Sequence, residues 1–334
     1  MAPDPRVLVS HNASRVLVID FRYHLISIIA VLMALAIGIL AGSGFLGGPL
    51  LADLKHRLNN IAQDNKGLQG DVDSLTRTAQ DNQIFAQATE PWLVQKALAG
   101  RAVVLLQPQG TETAASDGIV SAVVDAGGTI AATVTFTDKF SLTDPTALNQ
   151  LALSVHSSSG SARKVREQAA VLLGDRAAAA SRAPNIPPSN ASAESQRFEA
   201  LLSQLEKDGF VNADRTHDGI TVPPGALFVV LAGGVDVPPF PTRAFCLDLA
   251  RALGAHSATV LAAEPSDSTL GFVAAVRADG KAAQMVSTVD DAETVPGGIA
   301  AVLGLREAIR GRVGHYGFAP GADAVIPQPA VSPS

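Results

Sequence analysis

The chain is poor in the residues that most often announce chemistry. Its 334 residues hold one cysteine, Cys246. A lone thiol makes no internal disulfide and no cysteine-rich metal centre, so cysteine usage leaves the redox compartment open. Aromatic residues are 4% of the chain, which leaves few stacking platforms for bases or sugars. Charged residues are 17%, with 25 Lys+Arg against 31 Asp+Glu and a net charge of −6. No block of five or more basic residues occurs, which argues against a nucleic-acid partner. Hydrophobic residues, by contrast, are 47% of the chain, a composition that excludes wholesale disorder. At about 150 residues per domain, the length suggests roughly two structural units.

What is present begins near the N-terminus. Leu25–Leu46 (LISIIAVLMALAIGILAGSGFL) carries no formal charge. A helix of that length rises about 33 Å, close to the ~30 Å hydrocarbon core of a bilayer. An uncleaved signal-anchor is the favoured reading of residues 25–46. The rival is a cleaved signal peptide, with Ala41 and Ser43 at the −3 and −1 positions. Arg6, Arg15 and Arg22 precede the helix, and Lys55, Arg57 and Lys66 follow it, so the basic residues balance. Arg22 lies nearest and the N-terminal side is short, which favours an N-in protein with its C-terminal domain outside the cytoplasm. Gly42–Gly47 spells G-x-G-x-x-G, but a dinucleotide loop must join a strand to a helix, and this one follows a membrane span. Gly38 and Gly42 have the four-residue spacing that lets two membrane helices approach.

A heptad pattern follows. Leu51, Leu54, Leu58, Ile61, Asn65, Leu68, Val72, Leu75 and Ala79 recur in alternating steps of three and four. That is an a/d seam of about four heptads and predicts a coiled-coil stalk over residues 48–90. Asn65 falls at an a position, where a buried amide holds a parallel pair in register at a cost in stability. Anchor and stalk together predict a parallel homodimer. The competing reading is an amphipathic helix packed on its own domain, and Gly67 and Gly70 cost that helix about 1 kcal/mol each.

Glu90-Pro91 is expected to end the stalk. Beyond it, short apolar runs alternate with helical stretches. Strands are expected at 102–106, 129–136, 226–232, 258–263 and 283–289, and helices at 117–126, 142–155, 163–173, 195–207, 241–253 and 299–310. Residues 177–193 (AAAASRAPNIPPSNASA) read as a flexible insertion. Continuous apolar strands separated by helices predict a parallel sheet covered on both faces, a three-layer α/β domain of Rossmann-like or flavodoxin-like type over residues 91–316. Residues 1–24 form an N-terminal tail and 317–334 a Gly/Pro-rich one.

Candidate chemistry in this domain is sparse. Gly233-Gly234-Val235-Asp236 lacks the spacing and lysine of a phosphate loop and reads as a tight strand-to-helix turn. Asp290, Asp291 and Glu293 could hold a hard cation, although exposed loop acids are the commoner meaning of such a run. Cys246 shares a helix face with Phe245, Leu249 and Leu253, which makes it a buried structural thiol. Copper calls for clustered thiolate, thioether or imidazole ligands. Met285 and His56, His156, His217, His256 and His315 are scattered, so a metal site would have to be assembled by folding and stays unknown, and the residues propose no catalytic or cofactor-binding residue. Short apolar strands joined by helices are also unlike a membrane β-barrel.

Several segments together resemble a known family: Asp20-Phe21-Arg22-Tyr23-His24-Leu25 running into the apolar helix, the heptads behind it, Ser287-Thr288-Val289-Asp290-Asp291, and Gly314-His315-Tyr316-Gly317. From about Ile19 to Ala324 the chain resembles the actinobacterial envelope proteins called copper transporter MctB, whose corynebacterial relatives are called SteB. The resemblance implies a non-enzymatic envelope protein with a role in copper efflux or resistance. It equally implies a septal cell-separation adaptor, working with a SteA-like membrane protein and engaging a coiled-coil peptidoglycan hydrolase through its stalk. The residues fit the second description better, and copper as a ligand rests on the resemblance alone. Residues 1–17 fall outside the family pattern, so translation is expected to start at Val18, a position a GTG initiator would encode.

Overall fold

The computed structural model describes residues 21–182, 193–216, 221–234 and 240–328, with the side chains of 43–51 excepted. It divides into two compact units, Met1–Ala79 and Gln80–Ser334.

In the first unit the described residues belong to one helix, α1, which spans Phe21–Val94 and so continues into the second unit. Within the described residues, the stretch long and apolar enough to cross a membrane is Phe21–Gly42. Helix runs through Gly42–Gly47, so the G-x-G-x-x-G there forms no loop. It also runs through Pro91, where an end was expected. Proline there removes the one hydrogen bond back to the Gln87 carbonyl, a loss confined to the turn before it. The helix stops where Val94 and Leu98 enter the core of the second unit, both fully buried.

The second unit is an α/β domain. In chain order its elements are β1 (Ala102–Pro108), α2 (Thr113–Asp125), β2 (Thr129–Phe136), α3 (Pro145–Ser154), α4 (Ala162–Ser181), α5 (Ala193–Lys207), β3 (Val211–Arg215), β4 (Leu227–Leu231), α6 (Thr242–Ala255), β5 (Val260–Ala263), α7 (Phe272–Ala278), β6 (Ser287–Val289), α8 (Val295–Ile309) and β7 (His315–Tyr316). The seven strands lie in the order β3-β2-β1-β4-β5-β6-β7. All neighbouring pairs are parallel except β2 and β3. That is the doubly wound order 3-2-1-4-5-6 with a reversed edge strand, and it differs from the 2-1-3-4-5 order of flavodoxin.

Strand side chains alternate between two cores, as a period of two requires. Val104, Leu106, Phe228, Val230, Val260 and Ala262 face one core, shared with α3 to α7. Val103, Leu105, Leu227, Val229, Leu231 and Leu261 face the other, shared with α2 and α8. Burial on both faces explains why these strands read as continuous apolar runs rather than alternating ones. The first core is the more aromatic: Phe136, Phe140, Phe240 and Phe245 pack edge-on or tilted with centroids 4.8–6.0 Å apart.

Two expectations change here. Residues 177–181 are the last turn of α4 rather than the start of a flexible insertion. Ala177, Ala178, Ala180 and Ser181 are buried, and alanine has the best helix propensity of any residue. The remainder, 183–192, lies outside the described residues. Strands β3 and β7 and helix α7 were also absent from the sequence expectation. The burial pattern of β3 alternates, its apolar content is small, and β7 is two residues long.

Candidate functional site

In the first unit, the seam residues lie on one face of α1, since steps of three and four return to the same side. Leu54, Leu58, Ile61, Leu68, Val72 and Leu75 leave from 54% to 70% of their surface exposed in the single chain. Asn65 and Ala79 are exposed beside them. Leu51 lies in α1, outside the described side chains. A Cβ added at Gly38 or Gly42 would meet nothing within 4 Å, so the helix surface there is open. Around the seam α1 is polar, with an Arg57–Asp53 ion pair one turn apart.

In the second unit, the natural ligand position of a doubly wound sheet is the crevice beyond the strand C-termini, where strand order reverses between β1 and β4. The loops there are pressed together. The Glu112 N–H donates to the Gly233 carbonyl at 3.2 Å, and Gly233 and Gly234 both have positive φ. A Cβ on Gly234 would lie 3.1 Å from the Gly110 carbonyl oxygen. Val235 and Asp236 lie outside the described residues. The crevice is acidic: desolvation, then Asp267 and Glu293, push the Glu112 carboxyl above its usual range. Such a rim repels the phosphates that Rossmann loops usually hold.

The acids after β6 are not simply exposed loop residues, because Asp290 and Asp291 are buried. Asp290 ion-pairs with Arg277 at 2.8 Å and accepts from the backbone N–H groups of Phe318 and Ala319 at 2.6 and 3.0 Å. Arg277 also donates to the Tyr316 carbonyl at 2.7 Å and to Thr288 Oγ1 at 2.9 Å, and Thr288 Oγ1 meets His315 Nδ1 at 3.0 Å. Gly317 has φ +120°, and a Cβ on it would collide with the Asp290 carboxylate. The segments Ser287–Asp291 and Gly314–Gly317 are thus the two halves of a clasp that holds the chain after β7. Residues 317–328 are accordingly part of the fold rather than a free tail, with a bridge from Tyr316 to Ala324. Burial lowers the His315 pKa, with Asp323 acting in the opposite direction.

Asp291 stands apart. It has φ +62°, accepts from Thr294 Oγ1 at 3.1 Å through Oδ2, and buries Oδ1 without a partner. Burial and the neighbouring Asp290 push its carboxyl up to about 7. Glu293 turns to Ser266, whose N–H it accepts at 3.0 Å. The three acids therefore point at different partners.

Cys246 is fully buried, and desolvation pushes its thiol up, away from the thiolate that binds soft metals. His256 pairs with Asp175 at 3.0 Å, a partner outside the His315 clasp. His56 is on α1, and His217 lies outside the described residues. Among the described residues no three His, Cys, Asp or Glu side chains converge as a metal site.

One membrane-length apolar helix, a long helical segment with an unpaired heptad seam and a doubly wound α/β domain define a protein of the membrane-associated α/β class. The chain belongs to the family described as "Copper transport outer membrane protein, MctB", whose sequence model matches residues 18–327. It is 33% identical over 330 residues to the "Copper transporter MctB" of Mycobacterium tuberculosis strain H37Rv, covering 92% of this chain and 98% of that protein. The "Copper transporter MctB" of Mycobacterium leprae strain TN is 28% identical over 327 residues, covering 93% of this chain and all of that protein, 100%.

Proposed function

We propose that this chain is a non-catalytic, membrane-anchored homodimer of the cell envelope that supports copper efflux or copper resistance. The observation that carries the dimer is the exposed a/d seam of α1. An apolar stripe one heptad face wide is what a second α-helix covers. The copper role comes from the names of the relatives. Copper is then cargo of an assembly to which this chain contributes a scaffold, with the α/β domain outside the cytoplasm. Gly38 and Gly42 would let the two membrane helices approach.

The same seam supports a second reading, a septal cell-separation adaptor. A dimeric stalk offers a docking surface for the coiled coil of a peptidoglycan hydrolase, with a SteA-like membrane protein as a further partner.

One experiment addresses both. Leu58→Asp combined with Leu68→Asp places charges in the seam and should convert a detergent-solubilised dimer to monomer in sedimentation. The variant is then returned to cells lacking the gene, and copper survival and septal separation are scored. Loss of copper survival alone supports the first reading, and chained cells with unchanged copper survival support the second. Monomeric wild-type protein at tens of micromolar overturns the dimer.

A further inference from the structure

We propose that the cavity between the N-terminal turns of α4 and α6 binds a small zwitterion, a free amino acid or a short peptide, with its carboxylate on Arg166 and Arg163 and its ammonium on Asp248. The cavity has a volume of about 400 Å³. That is within the range of small-molecule sites. Helix α4 contributes Arg163, Arg166 and Glu167 to its wall, and α6 contributes Ala244, Phe245 and Asp248. The two helices are held close by Gly174, where a Cβ would lie 2.6 Å from that of Ala252.

The charges in this cavity are what demand a ligand. Arg166 is 91% buried by the 9% exposure it retains, and its Nη1 donates to the carbonyls of Phe140 and Ser141 at 2.7 and 3.1 Å. Two carbonyls anchor the guanidinium but leave its charge without a counter-ion, and no carboxylate among the described residues pairs with it. Desolvation accordingly lowers its pKa with nothing opposing. An uncompensated buried cation is costly, and an incoming carboxylate would offset that cost. The N-terminus of α4 adds to the attraction, since Ser161 makes no side-chain cap.

The opposite wall has the complementary defect. Asp248 binds Arg251 at 2.7 Å through Oδ1 only. Its carboxyl is pushed above its usual range by desolvation, against the Arg251 charge, with Glu167 and Asp279 adding to the rise. Arg166 and Asp248 line one cavity without pairing with each other. A molecule carrying both a carboxylate and an ammonium relieves both charges, whereas a simple anion relieves one and is repelled by Glu167 and Asp248. Ala244 and Phe245 give the wall between the charged ends an apolar part.

The test uses the full chain in detergent micelles and titration calorimetry with leucine, the dipeptide alanyl-alanine, leucinamide, N-acetylleucine and inorganic phosphate. We expect leucine or alanyl-alanine to bind, and whichever is tighter identifies the free amino acid or the peptide as the source. Leucinamide and N-acetylleucine should each bind at least 10-fold more weakly than leucine, if leucine is the ligand. If the dipeptide is the ligand, its amidated and N-acetylated forms should show the same loss. Arg163→Gln, at an exposed position, should weaken binding at least 5-fold with unchanged thermal unfolding, and Asp248→Asn, which keeps the shape of a half-buried side chain, should weaken it by as much. Ala244→Trp should abolish binding by filling the space. Arg166→Gln is a harder variant because it also releases Phe140 and Ser141, so Arg163→Gln and Asp248→Asn carry the decision. Binding of neither zwitterion, equal binding of the blocked analogues, or binding of phosphate alone overturns the proposal.

Discussion

At the scale of single residues, Asp291 combines a positive φ with a buried carboxylate oxygen that has no partner. Its left-handed backbone is one that Asn and Asp tolerate better than other non-glycine residues. Its carboxyl is about 7 in the fold, against ~3.9 in an unfolded chain. A raised folded pKa means that the native state holds the proton longer than the unfolded state. The stability that this group contributes is therefore full below pH ~4 and is lost as pH rises to about 7. Asp291→Asn keeps the shape and removes the titration. We expect the variant to match the wild type near pH 4 and to exceed it at pH 8 by about 1–2 kcal/mol, less than the roughly 4 kcal/mol upper bound set by 1.36 kcal/mol per pKa unit. Thermal unfolding at both pH values checks this, with a rise of about 2–8 °C expected at pH 8 only. Equal shifts at the two values would mean that packing rather than charge separates the variants.

At the scale of elements, α1 and α4 show two kinds of legibility. The heptads of α1 are a local repeat, so the apolar face could be read from the order of residues alone. Asn65 makes the reading testable. At an a position its amide is satisfied by its mate only in a parallel, in-register pair. Asn65→Leu should raise the thermal stability of the dimer and admit trimers, which sedimentation at several concentrations would reveal. No change in either would place Asn65 outside a seam. Helix α4 was less legible. A helix over 163–173 was readable, but its continuation to Ser181 was obscured by the prolines and serines that follow. The packing of Gly174 against α6 is what gives that alanine run a surface to bury against. The clasp of Arg277 and Asp290 was legible only as two short phrases that carry the family resemblance, because its partners lie 13 residues apart and the chain it holds lies 28 residues further on.

At the scale of the whole molecule, both cores of the α/β domain lie in the unit that begins at Gln80. A fragment from Gln80 to Ser334 should therefore fold cooperatively without the preceding segment. A fragment beginning at Ala99 should be less stable by several kcal/mol, since it removes the buried side chains of Val94 and Leu98. Circular dichroism melting of the two fragments decides the point, and identical melting would show that the end of α1 adds nothing to the core.

Order along the chain by itself determined the apolar span, the heptad face and the α/β class, because each is a periodicity carried by neighbouring residues. It also determined β1, β2, β4 and β5 to within two residues at either end, since strands buried on both faces are uninterrupted apolar runs. Tertiary structure alone decided the rest. The antiparallel edge β3 and the two-residue β7 exist through pairing with strands that already stand. The burial of Asp290 and Asp291 follows from a clasp closed by residues after β7. The opposed charges of Arg166 and Asp248 share a cavity only because α4 and α6, separated in the chain by α5, β3 and β4, pack side by side. Distance in sequence hides such encounters, since the free energy that makes them comes from burying both sheet faces at once and is not a property of any local segment.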